Sequence, residues 1–362
     1  MAERRRNLVS RIAFMLAMAV LGLAALEMGM RYLDWPPSVV SGWRIGNPAG
    51  PVNQLGWRGQ PWQPHRQTDF VVVMTGGSEC TKCPPDETLD VILERALRQY
   101  SSNARVVTLG SRGYSEDQEY LALHEYFAHD RADLVVTWAS IAEDVPANMF
   151  RGVQTPAGPV TLKPTFAWVD NDIRGPSDVI GEQVYNFKLT TLLRPVFINL
   201  DSNWTRLLPA ADPGASSPPP DIMARLKVDD ALEDQRTPWA IWLTPRPARV
   251  KYGIDLTHAL FRHMRELATL HGAKFTVLLT PPETHAEGPV ALEHSGHWFV
   301  ADPAARDAAI AEVTEGFDTI TLARDTGEPT SPEAERLIMA RLAEVLSQRD
   351  RLMSAAYARA RH

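Results

Sequence analysis

Ser78 closes a Gly76-Gly77-Ser78 turn at the end of an apolar run. A serine so placed is a nucleophile only if a nearby base can take its proton. Cys80 and Cys83, the only two cysteines of the chain, follow at once in Cys80-Thr81-Lys82-Cys83. That spacing suits a small disulfide, a redox pair or half of a metal site. The residues around it lack the Trp or Pro context of a thioredoxin site, no His follows as in c-type haem attachment, and no His stands near enough to complete a zinc set. A loop-stiffening disulfide in an oxidising compartment is the reading that remains. Three further segments hold chemistry-bearing residues: Gly110 to Gly113, Glu143 to Asn148, and Asp325 to Glu328. Nothing in the chain implies a cofactor or a resident metal.

These segments punctuate an alternation of strand-like and helix-like stretches. Phe70 to Met74 is a continuous apolar run of the kind buried on both faces of a parallel sheet. After Asp86, Leu89, Leu93, Ala96, Leu97 and Tyr100 recur at helical spacing. A strand at Arg105 to Leu109, a helix at Glu116 to Ala128 and a strand at Asp133 to Trp138 follow. The repetition predicts an α/β domain with a parallel sheet covered by helices on both faces. In such a sheet the loops at the carboxyl ends of the strands form the functional crevice, and the segments above occupy those loops.

The alternation lapses between about Met149 and Lys251, where Pro and Trp accumulate, so an irregular insertion is expected at about 150–250, with Ala210 to Pro220 as a mobile linker. It resumes with a helix at Leu256 to His271, strands at Lys274 to Thr280 and Phe317 to Ala323, and a final helix at Pro332 to Ser347. One interrupted sheet, without internal repeats, accounts for both halves. Of the ten tryptophans, Trp35 and Trp43 suit a membrane interface and the others core and insertion packing.

Arg4, Arg5, Arg6 and Arg11 precede Ile12 to Met30, a stretch whose only charge is Glu27. Nineteen helical residues reach about 28 Å, close to a bilayer core. The run is longer than a signal-peptide core and lacks a small-x-small cleavage site, which favours a retained anchor. The positive-inside rule keeps 1–11 in the cytoplasm, with the span at 12–31, a juxtamembrane segment at 32–69, and 70–362 in the periplasm of a bacterial cell. Gly22, Ala25 and Gly29 share roughly one helical face and predict close packing against an integral membrane partner. A net charge of −7, with basic residues clustered only at the N-terminus, excludes a nucleic-acid binder.

The chain resembles the SGNH, or GDSL-like, hydrolase family in its membrane-anchored bacterial form. The similarity runs through Glu27 and Arg31, Asn53 to Arg58, Val71 to Glu79, Thr108 to Gln118, Asp133 to Asn148, Lys163 to Phe166 and Asp325 to Leu346. The resemblance implies a three-layer, flavodoxin-like fold and ester or acetyl hydrolysis. It also implies Ser78 as nucleophile, with an oxyanion hole from its amide, a glycine of the Gly110 to Gly113 loop and an Asn, and an Asp-x-x-His pair as base. Ser78, Gly110 and Gly113 fit the pattern, although Gly77 stands where the family usually has Asp. Glu143-Asp144 replaces the Asn–Asp pair, and Asp325-Thr326-Gly327-Glu328 puts Glu328 at the position of the catalytic His.

A carboxylate in the oxyanion hole repels the transition state, and a triad without its imidazole loses several powers of ten in rate. The expectation is therefore a catalytically degenerate domain serving as an accessory subunit of a membrane complex. The competing expectation is an active esterase or acetyl-transfer enzyme on envelope polysaccharide, with His285, His294 or His297 as a relocated base. A polysaccharide-binding module that kept the cleft is a third.

Overall fold

The computed structural model describes residues 2–33, 53, 56–62, 64–77, 87–111, 113–150, 152–153, 161–176, 207–229, 232–233, 237–280, 288–322 and 332–348. Helix α1 (Ala2–Tyr32) is followed by β1 (Phe70–Gly76), α2 (Leu89–Leu97), β2 (Ala104–Thr108), α3 (Glu116–His129), β3 (Leu134–Ala139) and α4 (Ile141–Asn148). Short strands come next: β4 (Gly152–Val153), β5 (Thr161–Leu162), β6 (Ala167–Val169), β7 (Asp172–Arg174), β8 (Arg225–Lys227) and β9 (Leu243–Thr244). The chain continues through α5 (Ala248–Leu270), β10 (Lys274–Leu279), β11 (Val290–His294), β12 (His297–Ala301), α6 (Pro303–Val313), β13 (Thr319–Thr321) and α7 (Pro332–Gln348).

The central sheet has five parallel strands in the order β13-β10-β3-β1-β2. Counted within this sheet the order is 2-1-3-4-5, which reverses direction between β1 and β3, the point at which open parallel sheets place a ligand crevice. Alternate side chains of β1 enter two separate cores. Val71 and Val73 join Val107, Val135 and Val277 under α3, α4 and α5, with Tyr126, Val145 and Phe261 closing that layer. Phe70, Val72 and Met74 join Leu134, Val136 and Ile320 under α2 and α7, closed by Leu93 and Leu342. Every residue of β1 is buried, as its unbroken apolar run requires.

Several elements differ from the expectations. Glu143 to Asn148, read as a loop, lies in α4, because Asp144 turns back to accept the Ser140 N–H at 2.6 Å and holds the first turn. Helix α5 starts at Ala248, a full eight residues before Leu256, straight after Pro247, which cannot itself extend a strand ladder. The region read as an irregular insertion contributes β8 and β9 to a second sheet, ordered β8-β11-β12-β9, with parallel pairing only between β8 and β11. Within the stretch read as a linker, Ala215 exchanges two backbone hydrogen bonds of 2.8 Å with Trp298 of β12.

Residues 56–62 and 64–69, assigned from sequence to a juxtamembrane segment, pack onto the domain. Trp57 is buried in the core beside β1, and Thr108 of β2 donates to the Arg58 carbonyl at 3.0 Å. The guanidinium of Arg131 donates to the carbonyls of Arg66, Gln67 and Asp69. Asp90 accepts the Gln60 N–H at 2.7 Å. Gly59 makes that approach feasible: its φ is +152°, and a Cβ there would lie 2.9 Å from Asp90 Oδ2.

Among the described residues, one helix, over Ser10–Tyr32, is long and apolar enough to cross a membrane. Its side chains from residue 10 onward are exposed except Glu27 and Met30, and Glu27 pairs with Arg31 at 2.7 Å. Gly22, Ala25 and Gly29 belong to the exposed set.

Gly59→Ala combines a conformation that side chains disfavour with a clash against a buried carboxylate. It is expected to lower unfolding stability by about 1–3 kcal/mol in a urea titration.

Candidate functional site

The candidate site lies at the carboxyl ends of the paired strands β1 and β3, where the strand order reverses. On the β1 side lie Gly76 and Gly77. Ser78, Cys80 and Cys83 lie outside the described residues, as do His285, Asp325 and Glu328. After β2 come Gly110, which is buried, and Gly113, whose φ of +85° turns the chain toward α3. After β3, Ser140 opens α4, whose first turn carries Glu143 on its exposed side and Asp144 on its buried side. The structure thus brings the Gly110 to Gly113 loop and Glu143 to the same end of the sheet, following β2 and β3 respectively.

His294 and His297 face each other across the β11–β12 turn, where His294 Nδ1 lies 3.2 Å from the Val228 carbonyl and His297 is exposed. His65 forms a tight pair with Asp130, at 2.6 Å. That pair belongs to the opposite end of the sheet, since His65 precedes β1 and Asp130 precedes β3.

Directly below the crevice lies a polar cluster that sequence reasoning missed. The first turn of α3 is Glu116-Asp117-Gln118-Glu119, and all four side chains, with Ser115 before them, are at most 1 % exposed. Lys163, also 1 % exposed, donates to Ser115 Oγ at 2.6 Å and lies 2.7 Å from Asp117 Oδ2. Asn148, at the end of α4, donates to Glu116 Oε2 at 2.6 Å and to Thr257 Oγ1 of α5 at 3.0 Å. Its Oδ1 accepts the Asp117 N–H at 3.3 Å. One step toward the sheet, Thr75 of β1 donates to Glu119 Oε2 at 2.7 Å and lies 3.0 Å from Thr137 of β3.

The N-terminus of α3 explains why carboxylates are tolerated there, because free N–H groups and the helix dipole favour negative charge. Burial still dominates at Glu116, pushing its carboxyl up to about 7. Hydrogen bonds from Asn148, its own backbone and Asp144 oppose that rise, and the charge of Asp117 adds to it. The cluster can therefore hold a proton near neutrality at Glu116, while Lys163 lies against Asp117 at 2.7 Å. In sequence these residues fall only in the start of an expected helix and in the Lys163 to Phe166 segment, and nothing in their local pattern marks them as buried.

Comparison of the chain with protein-family models, curated proteins and solved structures gave no match.

Two outcomes follow from the cluster. A carboxyl whose folded pKa is raised binds more protons in the native than in the unfolded state between about 4.5 and 7. Stability attributable to Glu116 is therefore full at low pH and is lost as pH rises through that window, by about 3 kcal/mol at most. Glu116→Gln should flatten this slope when urea unfolding is compared at pH 5 and pH 8. Lys163→Met leaves the Asp117 carboxylate buried without its counter-charge and should cost about 3–5 kcal/mol. The double variant with Asp117→Leu should recover most of that loss.

Proposed function

We propose that this chain is a single-span membrane protein whose outer α/β domain is a degenerate SGNH-hydrolase relative and acts as a non-catalytic accessory subunit of an integral membrane complex. The observation that carries the reading is Glu143. It sits exposed in the first turn of α4, immediately beyond β3, at the position where the family resemblance requires a neutral amide donor. A carboxylate there opposes an oxyanion, and loss of such a donor alone costs about a hundredfold to a thousandfold in rate. Asp144 beside it caps Ser140 instead of serving a reacting group. The 2-1-3-4-5 sheet suits the flavodoxin-like layout that the resemblance implies, although architecture of this kind hosts many activities.

The membrane part of the proposal rests on α1. Its apolar stretch of 23 residues measures about 35 Å and keeps its side chains outward. Gly22, Ala25 and Gly29 would admit a partner helix at close range, with lipid around the rest. The basic N-terminus would lie in the cytoplasm and the domain in the periplasm of a bacterial inner membrane, an oxidising setting in which Cys80 and Cys83 would close as a disulfide.

Purification of the native chain in mild detergent is expected to recover one stoichiometric integral membrane complex. Replacing Gly22 and Gly29 with Leu should release the chain from that complex while it stays in the membrane fraction. Turnover of a small acetyl ester that disappears in Ser78→Ala would instead establish the esterase reading.

A further inference from the structure

A cleft of about 360 Å³ runs along the edge strand β2 on the side where residues 60–69 fold back over the domain. Its lining includes neither the Ser140 to Asp144 turn nor Gly110. Its Arg66 and Asp69 end lies beside the amino end of β1, roughly 20 Å from where the seven residues of that strand finish.

The lining combines an aromatic wall with closely balanced charges. Trp62 lies half-buried, its inner side packed on the core beneath α3 and α5. Gln60 and Arg66 are exposed. Arg105 is 39 % exposed, with Glu94 at 3.3 Å and Asp69 at 3.9 Å. Asp69, Asp90 and Glu94 line this space together with Arg66 and Arg105. Asp90 is 2 % exposed, and burial holds its carboxyl above the ordinary range. Such a lining offers hydrogen-bond donors and acceptors side by side without a net field that would draw in a phosphate or a polycation.

The wall is also set in advance. Asp90 holds the Gln60 amide at 2.7 Å, across a gap that only Gly59 permits. Asp130 holds His65 at 2.6 Å, and Arg131 holds the carbonyls of Arg66, Gln67 and Asp69. A wall pinned at both ends adds little ordering cost to binding.

We propose that this cleft binds a neutral carbohydrate of about one or two rings, with a sugar face on Trp62 and hydroxyls on Gln60, Arg66, Asp69 and Arg105. The ligand must be polyhydroxylated to use closely spaced donors and acceptors, and uncharged to suit their balance. The inference is independent of the accessory-subunit reading and of Ser78.

Calorimetric titration of the full-length, detergent-purified chain tests it. The probes are neutral disaccharides and trisaccharides of glucose, galactose, mannose and N-acetylglucosamine, with sialyllactose and glucose 6-phosphate as charged comparators. At least one neutral sugar is expected to bind, and Gln60→Ala and Arg66→Ala, both at exposed positions, should each weaken it about tenfold. Trp62→Phe should retain binding and Trp62→Ala should abolish it. The proposal is overturned if no neutral sugar binds at millimolar concentration, if a charged comparator is preferred, or if the Gln60 and Arg66 variants bind as the parent does.

Discussion

An ammonium group buried to 1 % exposure is stable only where its charge is met at once, and Lys163 is met by Asp117 and Ser115 at the head of α3. Much of the domain is arranged around that requirement. The pair fastens the 161–166 segment to α3. Asn148 extends the network by bridging Glu116 on α3 to Thr257 on α5 from its place at the end of α4. Thr165 adds a hydrogen bond to the Asn148 carbonyl at 3.1 Å, so four separate pieces of chain meet in one polar knot. Apolar contacts could bring the same helices together, but they would not specify which turn of α3 faces which end of α4. Directional bonds in a medium of low polarity do so.

The knot sits directly under the crevice, which ties stability to the candidate site. Helix α3, whose head carries Glu116 and Asp117, begins three residues after Gly113, and α4, whose first turn carries Glu143, ends in Asn148. Any change in the protonation of Glu116 alters the hydrogen bonds between these two helices, and they frame the space above the sheet.

Toward the edge strand, the domain solves a different problem. β2 ends the sheet on one side, and an uncovered edge invites pairing with other chains. Here Glu94 accepts the Val106 N–H at 3.1 Å, and residues 56–69 lie across the same edge. The far side of the domain carries the second sheet, whose β11–β12 hairpin is closed through Ser295 and Gly296, both at positive φ.

Features that depend on neighbours in sequence were legible without coordinates. The apolar run of α1, the two-sided burial of β1 and the helical spacing of Leu89, Leu93 and Leu97 each follow from local periodicity, and the structure has a helix or strand at each place. The order of strands and helices followed for the same reason, as did the parallel sheet with two helical layers. Pairings across long separations were not legible. Lys163 meets Asp117 across 46 residues, Asn148 meets Thr257 across 109, and Arg131 reaches Arg66 across 65. A charged or amide side chain carries no mark in sequence of whether it will be solvated or buried against a partner. That depends on which surfaces the packed helices bring together, so the polar knot, the covered edge and the second sheet were decided by tertiary structure alone.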